Sequence, residues 1–355
     1  MDDSQWEFLE ELLETPSPSG YETRGQRVWI DYVERFADEV RTDDYGNAVA
    51  TYRGVDDGPT IAFAGHADEI GYAVRRIDDD GFVHLAGIGG VDRTVSQGQH
   101  VTIHTADGPV QGVVGQTATH LRDGDEDAEP PAIEKQTVDI GAADGEEARR
   151  AVEVGDPITF STTVERLLGS RVAGRALDNQ VGTWAAAEGL RRAADSGVHA
   201  TVHAVSTVQE ELGTWGAEMV GNQLDLDAAI VVDVTHTGDY PGAKTEKVGD
   251  ISLGAGPVVS RGSANHPVLA QAVRKAAADA DIDVQLQVDA SHTGTDARAF
   301  FVAQGGTPTL NLGVPNRYMH TPVEVVDTGD VDAVADLLAA FAEQASDYDS
   351  FAVDV

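Results

Sequence analysis

Apolar positions recur along the chain with two different periods, and their alternation predicts an α/β protein. Helical spacing marks the first residues, where Trp6, Leu9 and Leu13 would share one face. Short apolar runs bounded by turn residues mark strands. The pattern predicts helices at 4–14, 24–38, 179–195, 266–280 and 331–345, and strands at 47–53, 60–65, 201–208, 228–234 and 308–313.

Between about residues 70 and 165 the pattern changes to short alternating segments such as GYAVRRI and HVTIHTA, separated by turn residues. This region is typical of a small β-rich unit. Within it, the acidic, proline-containing segment 121–136 indicates a mobile loop. We therefore predict one α/β domain, residues 1–69 and 166–355, interrupted by a β-rich domain, residues 70–165.

The charge balance is strongly acidic. The chain has 61 acidic and 24 basic residues, a formal net charge of -37, and only four of the basic residues are lysines. No nucleic-acid partner is expected, since such binding needs basic surface. The composition resembles that of proteins from extreme halophiles, although an ordinary acidic cytosolic protein remains the alternative. At molar salt the Debye length falls to about 3 Å and self-repulsion is screened.

The sequence lacks a membrane-spanning segment, a signal peptide and cysteine, and each absence limits where the protein acts or what chemistry it uses. No stretch approaches the length of apolar residues that spans a bilayer, so no membrane partner is expected. The N-terminal segment reads as an amphipathic helix rather than a signal peptide, which predicts a cytoplasmic protein. Cysteine is absent, which excludes disulfides, thiol nucleophiles and thiolate metal sites. Any metal must therefore be held by His, Asp and Glu.

Potential metal ligands stand at the ends of predicted strands, where open α/β sheets bind ligands. The stretches are AGHADEIG with His66, Asp68 and Glu69, GRALDNQVG with Asp178, VQEELG with Glu210 and Glu211, VVDVTH with Asp233 and His236, and NRYMHTPVE with His320 and Glu324. Each stretch alone is more often a loop cap or a solvated strand end. Together, without cysteine, they suit a nitrogen- and oxygen-ligated site for divalent metals.

The apolar run at 201–208 leads into two adjacent glutamates, Glu210 and Glu211. If strand geometry continues to this point, neighbouring side chains point to opposite faces. We therefore expect the two carboxylates to meet different surroundings and to do different chemistry.

The motifs GHADEIG, RALDNQ, VQEELG, VVDV and RYMHTP, in this order and spacing, resemble the M42 family of dinuclear-metal aminopeptidases, the tetrahedral TET peptidases. TPSPSGYE, RGSANHP and GTDAR also match, so the resemblance covers essentially the whole chain. One departure is Gln180, where the family usually has arginine. The resemblance implies a mixed-sheet metallopeptidase (phosphorylase/hydrolase-like) catalytic domain with an inserted small β-barrel or PDZ-like domain.

The resemblance also implies two divalent metal ions per subunit, Zn²⁺ or Co²⁺. In that resemblance the metal ligands would be His66 and Asp233 on one ion and Glu211 and His320 on the other. Asp178 would bridge both ions. Asp68 would accept the spare imidazole N–H of His66 and fix its tautomer. Glu210 would face the substrate cleft as the general base toward a water between the metals. His292 is expected near the substrate.

The function expected from these residues is an aminopeptidase that removes N-terminal residues from short unblocked peptides. An alternative is another metal-dependent amidohydrolase, such as a carboxypeptidase or a deacylase, which would tolerate an acetylated amine. A further alternative is a glycoside hydrolase with a carboxylate pair, which would stay active in the presence of a chelator. A purely structural metal site in an assembly protein would have no use for the extra carboxylate of Glu210.

The resemblance further implies a homododecamer. Dimers would lie on the edges of a tetrahedron, with the β insertion supplying dimer contacts and the active sites facing an inner chamber. The expected substrates are therefore peptides small enough to enter, and not folded proteins.

Overall fold

A computed structural model describes residues 1–55, 58–122 and 129–355; part of the predicted acidic loop at 121–136 lies outside these residues. The helices of the described part are α1 (Asp3–Glu14), α2 (Thr23–Val33), α3 (Arg93–Ser96), α4 (Gly145–Ala151), α5 (Leu177–Ser196), α6 (Trp215–Gly221), α7 (Thr245–Val248), α8 (Pro267–Asp279), α9 (Ala297–Val302) and α10 (Thr328–Ala345). None of them is long and apolar enough to cross a membrane.

The strands fall into three sheets. They are β1 (Glu39–Thr42), β2 (Ala48–Tyr52), β3 (Thr60–His66), β4 (Gly71–Ile77), β5 (Val83–Ile88), β6 (His100–Thr105), β7 (Gly108–Val114), β8 (Thr137–Asp139), β9 (Pro157–Phe160), β10 (Glu165–Arg166), β11 (Arg171–Gly174), β12 (Thr201–Thr207), β13 (Ala228–His236), β14 (Val258–Arg261), β15 (Gln285–Val288), β16 (Thr309–Asn316) and β17 (Glu324–Asp327).

The main sheet has eight strands in the order β1-β2-β12-β3-β13-β16-β14-β15. Its four central strands, β12, β3, β13 and β16, run parallel to one another. Antiparallel pairs attach the strands on either side, β2 to β12 and β14 to β16. The carboxyl ends of the central strands therefore meet at one edge of the sheet.

Both faces of this sheet are covered. In β3, Ile61 and Phe63 point into a large core shared with α1, α2, α5, α8 and α10. Ala62 and Ala64 point into a second core shared with α6 and α9. This burial on both faces explains why the strand is almost entirely apolar, as its sequence suggested.

The predicted β insertion is a closed, antiparallel six-stranded barrel in the order β4-β5-β8-β7-β6-β9. It has its own core, which includes Tyr72, Leu85, Ile103 and Ile158. A separate antiparallel sheet, β10-β11-β17, follows the barrel along the chain and brings β17 beside β11. The predicted fold class, a mixed-sheet α/β domain with an inserted small barrel, is confirmed.

One predicted element was wrong at its end. The helix expected at 24–38 ends at Val33, and Glu39–Thr42 forms the edge strand β1. In the main sheet β1 pairs only with β2, and its side chains are mostly exposed. A solvated edge strand needs no apolar run, so the polar sequence EVRT gave no strand signal.

Candidate metal centre

The carboxyl edge of the central strands collects the residues that the sequence singled out. His66 ends β3, Asp233 lies in β13, Glu210 and Glu211 follow β12, Asp178 lies at the start of α5, and His320 follows β16. All six line one cavity of about 620 Å³. Their convergence follows from the parallel order of the four strands, because each strand delivers its ligand at the same edge.

Within the cavity, the donor atoms form two groups that share Asp178. One group is His66, Asp178 and Asp233, and the other is Asp178, Glu211 and His320; within each, the ligand atoms lie within 4.8 Å of one another. Asp178 Oδ1 lies 3.2 Å from His66 Nε2, and Asp178 Oδ2 lies 3.3 Å from His320 Nε2. Each oxygen of one carboxylate thus faces a different histidine.

Glu210 also lies close to the expected ligands, although farther from His66 than Asp178 and Asp233 do. Its carboxylate is 4.0 Å from His66 Nε2, and it forms a third group with His66 and Glu211. The expectation that the two glutamates face opposite sides is wrong. Strand β12 ends at Thr207 and Gln209 has φ 56°, so the chain turns before strand alternation could separate them.

The two histidines are held in one tautomer by main-chain carbonyls. His66 Nδ1 lies 3.1 Å from the carbonyl oxygen of Asp68, and His320 Nδ1 lies 3.1 Å from that of Gly90. Because a carbonyl oxygen can only accept, Nδ1 carries the proton when either ring is neutral. The lone pair of each Nε2 then points into the carboxylate cluster, which is the orientation that metal ligation requires.

Asp68 has more contacts than the one expected with the His66 ring. Nδ1 of His66 donates to the main-chain carbonyl oxygen of Asp68, and the carboxylate of Asp68 lies 3.4 Å from the same Nδ1. That carboxylate accepts hydrogen bonds from the Ser19 hydroxyl at 2.6 Å and from the backbone N–H groups of Glu210 and Glu211 at 2.9 and 3.1 Å. Asp68 therefore positions the two glutamates as well as the loop that carries His66.

Two further buried carboxylates hold backbone N–H groups of the same segments. Glu324 accepts from Asp178 and His320, and Glu22 accepts from Gln209 at 3.1 Å. From the sequence, Glu22 had no expected role, and Glu324 was named only among the potential metal ligands; it is in none of the three donor groups. The signal available for Glu324 was its position in the otherwise apolar run VEVV, since a buried charge needs partners.

Gln180, at the position where the resemblance implies arginine, is fully buried in α5 and donates to the carbonyl oxygen of Ala67 at 2.6 Å. A neutral donor therefore meets a neutral acceptor here. Nearby, β3 and α5 pack so closely that a Cβ on Gly65 would lie 2.5 Å from the backbone of Gly182. Glycine at 65 thus lets α5 lie directly against the end of β3.

The electrostatics of the cluster fit divalent cations. Burial raises the pKa of Glu210 to about 10 and that of Glu211 to about 8. Burial acts to lower the pKa of His66, but hydrogen bonds to Asp178 and Asp233 outweigh it and raise this pKa well above its usual value. Cations among these groups reverse both preferences, because they favour ionised carboxylates and neutral imidazoles. Imidazole and carboxylate donors also suit transition-metal dications.

The cavity extends beyond the donor groups. His292, which was expected near the substrate, lines it, as does His236, whose pKa burial lowers. The polar side of the cavity is completed by Thr235, Gln287, Thr293, Thr295, Arg298 and Asn311. The cavity therefore has room for a substrate side chain beside the donor groups.

The sequence model of the M42 glutamyl aminopeptidases matches residues 46–337. The chain belongs to this family. A lysyl aminopeptidase of Pyrococcus furiosus is 33% identical to it over 342 residues, which cover 96% of this chain and 97% of the relative. The resemblance inferred from the motifs is thereby confirmed at the level of the family.

Solved structures of TET peptidases share the fold of this chain. A TET aminopeptidase from a marine-sediment Thaumarchaeota archaeon superposes with a TM-score of 0.91 at 31% identity, covering 96% of each chain. The TET1 peptidase of Pyrococcus horikoshii, described as assembling into a tetrahedron or a large octahedral shell, gives 0.85 at 31% identity, covering 95% of this chain and 99% of its own. The family match and these likenesses show a metal-dependent aminopeptidase, and hence a hydrolase, with the TET-type fold.

Proposed function

We propose that this M42 aminopeptidase removes N-terminal residues from short unblocked peptides and uses two divalent ions, Zn²⁺ or Co²⁺, per subunit. In this proposal His66 and Asp233 would hold one ion, Glu211 and His320 would hold the other, and Asp178 would serve both. The observation that carries the proposal is the position of Asp178, whose two oxygens lie 3.2 and 3.3 Å from the Nε2 atoms of two different histidines.

Glu210 is assigned as the general base because it belongs to neither of the two donor groups that share Asp178. Its carboxylate lines the cavity, and Asp68 fixes its backbone. Metal ions in these positions, when bound, supply Lewis acidity toward the peptide carbonyl and lower the pKa of the attacking water. Glu210 takes the proton from that water and returns it to the leaving amine. Asp68 acts indirectly, by holding Glu210 and Glu211 in place.

The assembly belongs to the same proposal. We place the chain in a homododecamer in the cytoplasm of a halophile, with residues 70–165 as the dimerisation domain. The assembly described for the TET1 relative points the same way.

A chelation and restoration assay tests this function. Purified enzyme at high salt is treated with a chelator and then given back Zn²⁺ or Co²⁺, on a panel of aminoacyl fluorogenic substrates and their acetylated counterparts. We expect activity to disappear, to return with the metal, and to require the free amine. Cleavage of the acetylated substrates would favour a deacylase, and activity that persists in chelator would rule out the metal-dependent mechanism.

A further inference from the structure

Glu324 occupies a central place beneath the donor groups without being a member of any of them. It is almost fully buried, with 2% of its surface exposed. Its two carboxylate oxygens are divided between two backbone N–H groups: Oε2 accepts from Asp178 at 2.7 Å, and Oε1 accepts from His320 at 3.0 Å. One side chain therefore spans the backbones of two residues whose own side chains meet at 3.3 Å.

Neither backbone N–H has an alternative partner in regular structure. Asp178 lies in the first turn of α5, where N–H groups lack intrahelical acceptors, and its φ and ψ of -82° and 101° are not helical. His320 has φ 62° and Tyr318 has φ 65°, so this loop twice enters the left-handed region that non-glycine residues rarely adopt. A buried N–H without a partner is unfavourable, so the carboxylate stabilises both conformations.

Glu324 itself is anchored on strands. It begins β17, where its Cα partner is Gly174 at the end of β11. Strand β11 leads directly into the segment that carries Asp178, and the next residue, Val325, forms a bridge with Arg317 before the His320 loop. The carboxylate is thus fixed between the two segments that it joins.

We propose that Glu324 is a positioning residue that sets the relative geometry of Asp178 and His320, and thereby the affinity of the metal position formed by Asp178, Glu211 and His320. This inference rests on the proposed function. Glu324 touches neither substrate nor metal in it. Its effect should fall more strongly on the metal position that contains His320 than on the one that contains His66.

The direct test is a titration of the Glu324→Gln variant with Co²⁺, in which binding is measured from the visible absorption of the bound ion. Glutamine keeps the volume but offers one acceptor oxygen, so one of the two N–H groups faces an amide NH₂. We expect one ion to bind as in the wild type and the second about 10–100-fold more weakly, the usual effect of removing such an outer contact. The absorption of the weaker ion should also change.

Asp330 provides a matched control. Its buried carboxylate also accepts two backbone N–H groups, from Gly254 and Gly256 at 2.7 and 2.8 Å, but it does not line the cavity. The Asp330→Asn variant should lose thermal stability and keep wild-type Co²⁺ affinity for both ions. A general loss of rigidity would instead weaken Co²⁺ binding equally in both variants, and this result would overturn the positioning role.

If Glu324→Gln does not fold, Glu324→Asp carries the test, because it retains the charge but is too short to reach both N–H groups. Folded variants that bind both ions with wild-type affinity and absorption overturn the inference. If the variants overturn the inference in this way, the proposed function still holds as long as the wild-type protein binds two Co²⁺ ions in the same experiment. Wild-type protein that fails to bind two ions contradicts the proposed function itself.

Discussion

The carbonyl oxygen of Gly90, just beyond barrel strand β5, accepts a hydrogen bond from Nδ1 of His320, 3.1 Å away in the main domain. The contact sets the proton on Nδ1 and leaves Nε2 free to act as a ligand. Gly90 also lines the cavity. The inserted barrel domain is therefore part of the candidate metal centre and does more than offer an outer surface.

Replacing Gly90 with alanine should disturb this contact, because a Cβ at this position would lie 2.7 Å from His320 Nδ1. We expect Gly90→Ala to weaken metal binding and to lower kcat/KM by about 10–100-fold, as other losses of outer contacts do. The control is Gly87→Ala in β5, where a Cβ meets nothing within 4 Å. Equal activity and Co²⁺ affinity in the two variants would show that the barrel does not position His320.

The Glu210→Gln variant tests the general base. The two donor groups that share Asp178 do not include Glu210 and survive the change, while the carboxylate proposed to move the proton is lost. We expect metal content to stay at the wild-type level and kcat to fall by about 10²–10⁴-fold, the usual contribution of acid–base catalysis. Glu211→Gln is the control, since it should lose metal as well as turnover. Wild-type turnover in Glu210→Gln would remove Glu210 from this role.

His203 should make stability depend on pH. It lies in β12 with Nδ1 2.9 Å from the hydroxyl of Thr51, and burial together with nearby arginines lowers its pKa from 6.5 to about 4. Between these values the unfolded chain binds a proton that the folded protein does not, so acidification destabilises the fold. Denaturant unfolding at about pH 7 and pH 5 should show a loss about 2 kcal/mol smaller in His203→Gln than in the wild type.

The matched control for this measurement is His199→Gln, at an exposed histidine just before the same strand. This variant should keep the wild-type difference between the two pH values. Parallel pH profiles in the wild type and His203→Gln would contradict the assignment.

Salt should govern stability and assembly. A net charge of -37 on each subunit repels itself in dilute buffer and is screened at molar salt. We expect the melting temperature to rise with salt toward the molar range and the oligomer to dissociate at low salt, as measured by calorimetry and analytical ultracentrifugation. A melting temperature that is independent of salt would refute the halophilic interpretation, and an oligomer that persists in dilute buffer would refute the predicted dissociation.

The elements around the centre could be predicted because local sequence determines them. Apolar runs marked the central strands, and the ligand-bearing motifs stood at their ends. The contacts that position the ligands could not be predicted, because they join distant segments. Gly90 meets His320 only after the barrel folds back on the main domain, and Glu324 meets Asp178 only after β17 pairs with β11. The common surroundings of Glu210 and Glu211 depend on one left-handed residue, Gln209, which strand periodicity does not reveal.

The most direct test of the central claim is anomalous diffraction from crystals of the Co²⁺-loaded enzyme, recorded at the cobalt absorption edge. The account predicts two peaks about 3.5–4 Å apart. His66 and Asp233 should bind one, Glu211 and His320 the other, and Asp178 both, with Glu210 beside them. Peaks elsewhere in the molecule, or a single peak held by Glu210, would contradict it.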